Sequence, residues 1–213
     1  MRSSNPISRR FALMAGASAL AALAAAPAFA ADKDNFLIVP GQSFGPVKKG
    51  ATLAQLEKIY GKPNVRVRTV QPPHGDLPKQ RAAVIYPGTS NEAVALLSER
   101  GNRVEGVYVE KAGGQWRSKE GLRVGLGVEE MERTHGGPFA ITGFGRDGGG
   151  AVNGEPAKAP ARELFVRFTS TQGKQTSDAD EAVLNAEKGF RSDHPAARRA
   201  KLTVSVIWWD LAR

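Results

Sequence analysis

VKKGATLAQLEKIYGKP, residues 47–63, and LRVGLGVEEMERTHGGP, residues 122–138, are the two stretches whose reading decides the fold. With Gly50 set on Gly125, Glu57 falls on Glu132, Gly61 on Gly136 and Pro63 on Pro138, and the apolar positions follow: Val47 on Leu122, Leu53 on Val128, Leu56 on Met131. In the first stretch Thr52 is placed to cap a helix and Gln55 completes a capping box, after which Leu53, Leu56 and Tyr60 share one face. Gly61 supplies a left-handed stop and Pro63 prevents continuation. In the second, Gly127 takes the cap position, Glu130 stands in for Gln55, and Val128, Met131 and His135 form the face before Gly136 and Pro138. Each predicted helix has only about two to three turns, too few to be stable alone, so each must lie on something apolar.

That support reads as sheet. Val65 to Val70, Ala82 to Tyr86, Val94 to Leu97 and Val104 to Val109 follow the first helix as short apolar or alternating runs broken by Pro and Gly. Phe139 to Phe144, Leu164 to Phe168 and Leu202 to Trp209 follow the second, with a looser Gly/Pro-rich segment from about Gly145 to Arg162. Helix then antiparallel strands, twice, predicts an α+β protein of two related repeats, residues 31–112 and 113–213, with helices packed on antiparallel sheet. The pattern apolar-x-x-Gly, short helix, Gly-x-Pro resembles the repeat of the beta-lactamase inhibitor protein and of outer-membrane assembly lipoproteins of the SmpA/OmlA type. That resemblance covers the helical part of each repeat and implies a binding or scaffolding module without catalysis. The inhibitor's disulfides and the lipoproteins' acylated Cys have no counterpart here, because the chain has no cysteine.

Residues 1–30 divide into a basic stretch ending Ser8-Arg9-Arg10, an apolar run from Phe11 to about Ala26, and a close at Ala28-Phe29-Ala30. That order predicts a cleavable export signal. Arg9 and Arg10 resemble the twin-arginine motif, and Ala28 and Ala30 fit the small pockets of signal peptidase. The apolar run is mostly Ala and Gly and falls short of a membrane span, so no stable membrane anchor is expected after removal of the signal. The expected location is the periplasm or the outside of the cell. Arg2, Arg9 and Arg10 leave with the signal, so the formal charge of +9 falls by three. A modest positive excess suits an acidic envelope protein or an anionic wall polymer. Nucleic acid is excluded as a partner by export and by the lack of aromatics interleaved with the basic residues. Without Cys there is no thiolate metal site, and no cofactor is implied.

Several strings invite a chemical reading. Gly41-Gln42-Ser43-Phe44-Gly45 matches the nucleophile elbow of serine hydrolases, yet Pro46 follows where a helix should begin. Gly143-Phe144-Gly145-Arg146-Asp147-Gly148 matches the dinucleotide fingerprint, but the continuation through Gly149 and Gly150 to Pro156 cannot be the required helix. The same loop carries Gly145, Arg146, Asp147 and Gly148 as candidate partner contacts. Asp193 and His194 are adjacent and followed by Pro195, and no two of His74, His135 and His194 share a metal spacing. Asp178, Asp180 and Glu181 read as a solvated acidic turn. Lys48, Lys49, Arg66, Arg68, Arg198, Arg199 and Lys201 would form a basic surface. Trp208 and Trp209, adjacent in a strand, must face opposite sides of the sheet, so one packs in the core and the other is a candidate exposed contact anchor.

The reading is therefore an exported, non-catalytic binding or inhibitory module of the bacterial cell envelope. Its expected contact surface combines the sheet face or edge carrying Trp208 or Trp209 with the loop Gly143 to Gly150. The alternatives are a small periplasmic hydrolase using Ser43 or the Asp193/His194 pair, and a basic protein that binds wall polymer.

Overall fold

Both predicted helices form. The computed structural model describes residues 35–73, 77–100, 102–153, 163–171 and 176–211. The export signal with Arg9, Arg10, Ala28 and Ala30, His74, and residues 154–162 of the Gly/Pro-rich segment lie outside the described residues. Helix α1 is Leu53–Tyr60 and its capping box is complete: Thr52 Oγ accepts from the Gln55 N–H at 3.3 Å while Gln55 Oε1 accepts from the Thr52 N–H at 2.8 Å. Helix α2 is Val128–His135, starts at Gly127 without a side-chain cap, and ends on Gly136 in the left-handed conformation. Gly61 also has positive φ, but its ψ of 133° is extended and leads into a short 3-10 turn, Lys62–Asn64, rather than a left-handed cap. The α1 face buries Leu56 and Tyr60, and the α2 face buries Val128, Met131 and His135.

The strands in chain order are β1 (Leu37–Val39), β2 (Ser43–Phe44), β3 (Val47–Lys48), β4 (Val65–Val70), β5 (Gln80–Ile85), β6 (Ala93–Leu97), β7 (Val104–Val109), β8 (Arg117–Ser118), β9 (Ala140–Ile141), β10 (Val152–Asn153), β11 (Phe165–Ser170), β12 (Phe190–Arg191) and β13 (Leu202–Asp210). The main sheet has six antiparallel strands in the order β11-β13-β7-β6-β5-β4. Two small sheets, β3-β2-β1-β8 and β10-β9-β12, complete an α+β architecture. Residues 31–213 form one compact unit, and β13 pairs with β7, so both halves of the chain contribute to one sheet.

The second half departs from the expected helix-then-strands order. Where a strand was expected over Phe139 to Phe144, only Ala140 and Ile141 pair, because the chain turns into the glycine loop. The stretch read as a solvated acidic turn is helix α3 (Asp178–Leu184), capped by Ser177, whose side chain accepts from the Asp180 N–H. Three acids in its first turn complement the positive end of the helix. A fourth helix, α4 (Pro195–Arg199), starts on a proline that lacks only an N–H the helix would not use.

One face of the main sheet carries Ala83, Ala95, Val107, Ile207 and Trp209, and packs with Leu56, Tyr60, Val128 and Met131 of the helices in the principal core. Tyr60 lies in this core, where its ring meets that of Tyr86 edge-on at 5.5 Å. The opposite face carries a second buried cluster with no helix in it: Ala82, Val84, Val94, Leu96, Tyr108, Val206 and Trp208.

Leu56 and Met131, at matching positions of the two helices, are fully buried. Leu56→Ala and Met131→Ala are each expected to cost about 2–5 kcal/mol in urea unfolding, since each leaves a cavity under its helix. His135 is buried 5.1 Å from the Phe139 ring, and burial pushes its pKa below the ordinary imidazole value against the opposing bond to the Gly137 backbone. The unfolded chain therefore takes up this proton first. The expected result is stability that falls as pH drops below about 6.5, and a flatter profile between pH 7 and 5 for His135→Phe, both read from unfolding midpoints.

Candidate functional site

Strand register builds the candidate surface. On the helix-free face, paired residues form one row across all six strands: Phe165, Trp208, Tyr108, Val94, Val84 and Arg66. Side chains alternate along a strand, so Arg167, Val206, Gly106, Leu96, Ala82 and Arg68 lie on the same face. The rings of Phe165 and Trp208 meet edge-on at 6.3 Å, and Trp208 and Tyr108 lie 6.0 Å apart. Gly106 makes this possible, because a Cβ there would stand 2.6 Å from the indole Nε1 of Trp208.

Trp208 and Trp209 face opposite sides as expected, Trp209 in the principal core and Trp208 in the second cluster. Neither ring is solvent-facing: they are 7% and 6% exposed. What the alternation argument missed is the connection from β4 to β5, which folds back over the second face. Pro72 and Pro73 are buried, Leu77 packs against the cluster, and Gln71 Nε2 donates to the Leu77 carbonyl at 2.6 Å. Arg167, on the opposite edge strand, donates to the Pro73 carbonyl at 2.6 Å, so its side chain ties the described start of this connection to the far strand.

The glycine loop adjoins this surface through Phe165. A recess of about 320 Å³ is lined by Thr142, Arg146, Asp147, Gly148, Asn153 and Phe165, among others. The structure thus brings three of the four predicted loop residues, Arg146, Asp147 and Gly148, together at one opening. Gly145 is exposed on the same loop but packs toward Asn185. Despite its composition the loop is tied down: Thr142 N–H donates to Ala151 O, Gly150 N–H to Thr142 O and Phe144 N–H to Leu184 O, each at 2.8 Å. Gly150 has φ of +83°, and a Cβ there would stand 2.4 Å from the Phe168 carbonyl, so no other residue fits without a shift. Arg146 itself is tethered by donating to the Glu187 carbonyl at 3.2 Å.

The residues of the hydrolase reading are held apart from that chemistry. Ser43 lies in β2, paired with Val39 on one side and Lys48 on the other, and the next helix begins only at Leu53. Asp193 is gripped by Arg191 through two bonds of 2.9 and 3.1 Å, which hold its pKa below the ordinary carboxylate value. His194 caps α4, its Nδ1 accepting from the Ala196 N–H at 3.1 Å. Among the described residues no three His, Asp or Glu side chains gather as metal ligands, and no helix is long and apolar enough to cross a membrane.

The predicted basic surface is also broken up. Arg68 and Lys111 bracket Glu92; burial would raise the Glu92 pKa, but the Gly88 N–H and then the two cations outweigh it and hold the carboxyl ionised. Arg199 forks onto Asp180 at 2.8 and 2.6 Å, and Arg198 pairs with Glu132 and Glu129 beside a cleft of about 470 Å³ between α2 and α4. The polar atoms left over from the Arg198–Glu132 pair are sealed from solvent, so they are not offered to a ligand in that cleft. No family model, no curated protein and no solved structure matches the chain.

Gly106→Ala is expected to push the Trp208 indole off the sheet at a cost of about 1–3 kcal/mol. Chemical denaturation would measure the loss and a red-shifted tryptophan emission the displacement. In a Trp208→Leu background the added methyl should cost much less.

Proposed function

We propose that this chain is an exported, non-catalytic binding or inhibitory module of the bacterial cell envelope, working in the periplasm or outside the cell with a protein partner. The observation that carries this reading is the junction of the aromatic face and the recess: Phe165 belongs both to the row with Trp208 and Tyr108 and to the wall that holds Arg146 and Asp147. Of the three rings Phe165 is partly exposed while Trp208 and Tyr108 are buried behind it, and an aromatic anchor bordered by charged side chains is a usual feature of a protein contact surface. The paired state of Arg68, Arg198 and Arg199 favours a protein over an anionic wall polymer, which would need unneutralised cations.

The module is further read as a duplicated unit resembling the repeat of the beta-lactamase inhibitor protein and the SmpA/OmlA-type lipoproteins. Supporting it, the Val104 N–H donates to the Ala51 carbonyl and the Val204 N–H to the Leu126 carbonyl, both at 2.8 Å. Ala51 and Leu126 are matching residues of the two helical stretches, and each bond ties the approach to a helix onto the final long strand of its half.

The test is retention of envelope proteins on the chain from Ala31 onward, beside an Arg146→Ala/Asp147→Ala form, at low and physiological salt. Both substituted residues are exposed, so folding should be unaffected. A discrete protein held at both salt concentrations and reduced at least tenfold by the double substitution is the expected outcome. Retention indifferent to the substitution would move the surface elsewhere, and release of wall material by salt alone would favour the polymer reading.

A further inference from the structure

We propose that β4 is a docking edge, and that its occupant is an extended segment of a partner protein in which acidic and apolar residues alternate. The segment adds to the main sheet as a further strand. The site lies at the opposite end of the sheet from the recess beside Phe165, so it goes beyond the contact surface read there. The two ends are finished differently. At the β11 end the Phe168 N–H donates to the Gly150 carbonyl at 2.8 Å, Ala151 bridges Arg167, and the register with β13 shifts between Arg167 and Phe168. Cover by a loop and an irregular ladder are usual ways to close a sheet edge. At the β4 end six consecutive residues pair with β5 without a shift and none is proline.

Register shows which groups this open end offers. The Tyr86 N–H donates to the Asn64 carbonyl at 2.8 Å, and bonding to β5 alternates from that pair. Arg66, Arg68 and Val70 therefore direct their main-chain groups at β5, while Val65, Val67 and Thr69 direct theirs away from the sheet. The Val65 N–H is taken by the Lys62 carbonyl. Among the described residues nothing bonds to the outward N–H and C=O of Val67 and Thr69, the row that an added strand pairs with. Val67, opposite Ala83 of the principal core, is 39% exposed, one of two large apolar side chains so far out among the described residues.

Charge decides the occupant. Arg66 and Arg68 are exposed on the helix-free face, and Arg81, opposite Thr69, is exposed on the other. Arg66 and Arg81 have no ion pair among the described residues. Arg68 reaches Glu92 at 3.4 Å but shares that carboxylate with Lys111. A second copy pairing β4 with β4 about a two-fold axis would set arginine opposite arginine on one face, which opposes it. A segment with Asp or Glu at alternate positions meets Arg66 and Arg68 instead, and lays its intervening apolar residues beside Val67.

The probe is a synthetic peptide of about eight residues, within the usual range of strand lengths, alternating Glu with Val and Thr. It is titrated into the full chain with calorimetry as the readout. Val67→Pro removes one outward N–H and leaves the β4–β5 bonds in place, because Val67 does not bond to β5. Arg66→Glu reverses an exposed charge, so the result does not hang on one variant folding. Saturable binding is expected, weakened at least tenfold by each substitution. Methylating one alternate set of the peptide's amide nitrogens should abolish binding, and methylating the other set should spare it. No saturable binding to the unsubstituted chain, binding unchanged in either cooperatively melting variant, or equal loss from both methylated sets overturns the inference. A dimer of the unsubstituted chain in sedimentation, lost in Val67→Pro, gives the edge to a second copy and overturns it as well.

Discussion

The structure depends on the pairing of β13 with β7. Ile207 opposite Val109, Trp208 opposite Tyr108 and Trp209 opposite Val107 are the register that joins β11 and β13 to the meander β4–β7. Without it the chain would hold a four-stranded meander and a two-stranded ribbon, and a two-stranded ribbon is marginal in water. The same register decides what each face does. A slip of one residue would send Trp208 into the principal core and Trp209 out of it, and would exchange the apolar sets along nine residues of strand. Gly106 helps to set it, because the space above its missing side chain is where the Trp208 indole lies.

With the faces fixed, their partners differ in kind. The first face is covered by α1 and α2, whose short length makes them dependent on burial at Leu56, Tyr60, Val128 and Met131. The second is covered in part by the described ends of the β4–β5 connection, held by side-chain contacts at Arg167 and Gln71. Helices packed through a buried stripe open only with the whole fold. The two faces therefore differ in what covers them, helices on one and an irregular connection on the other.

Much of this was legible in the sequence where local chemistry dominates. Thr52 with Gln55, the buried spacing Val128, Met131, His135, and the strands Val65–Val70 and Val104–Val109 rest on capping, periodicity and alternation, and each formed at the residues read. The opposite orientation of Trp208 and Trp209 followed from strand geometry alone. Illegible were the features fixed by distant partners. Asp178, Asp180 and Glu181 look like a solvated turn until Arg199, from α4, closes on Asp180. Burial of Trp208 depends in part on a connection whose composition, Gln-Pro-Pro, is that of an ordinary exposed loop. Pairing of β13 with β7 requires knowledge of two strands about a hundred residues apart, which no periodicity encodes. A signal for α3 is present in Ser177 followed by acids at the positions of a first helical turn.

The glycine loop shows why composition misleads about function as well as fold. Gly143, Gly145, Gly148, Gly149 and Gly150 suggest a slack connection, which would pay an ordering cost on meeting any partner. Yet the loop closes on itself and on α3 through main-chain bonds, and Gly143, Gly149 and Gly150 sit where a side chain would strike backbone. Its glycines are there for close packing. Arg146 is further anchored to the Glu187 carbonyl, so the recess beside Phe165 is formed before anything enters it. A recess whose wall is already fixed would orient whatever enters it at little entropic cost, which a slack glycine loop could not do.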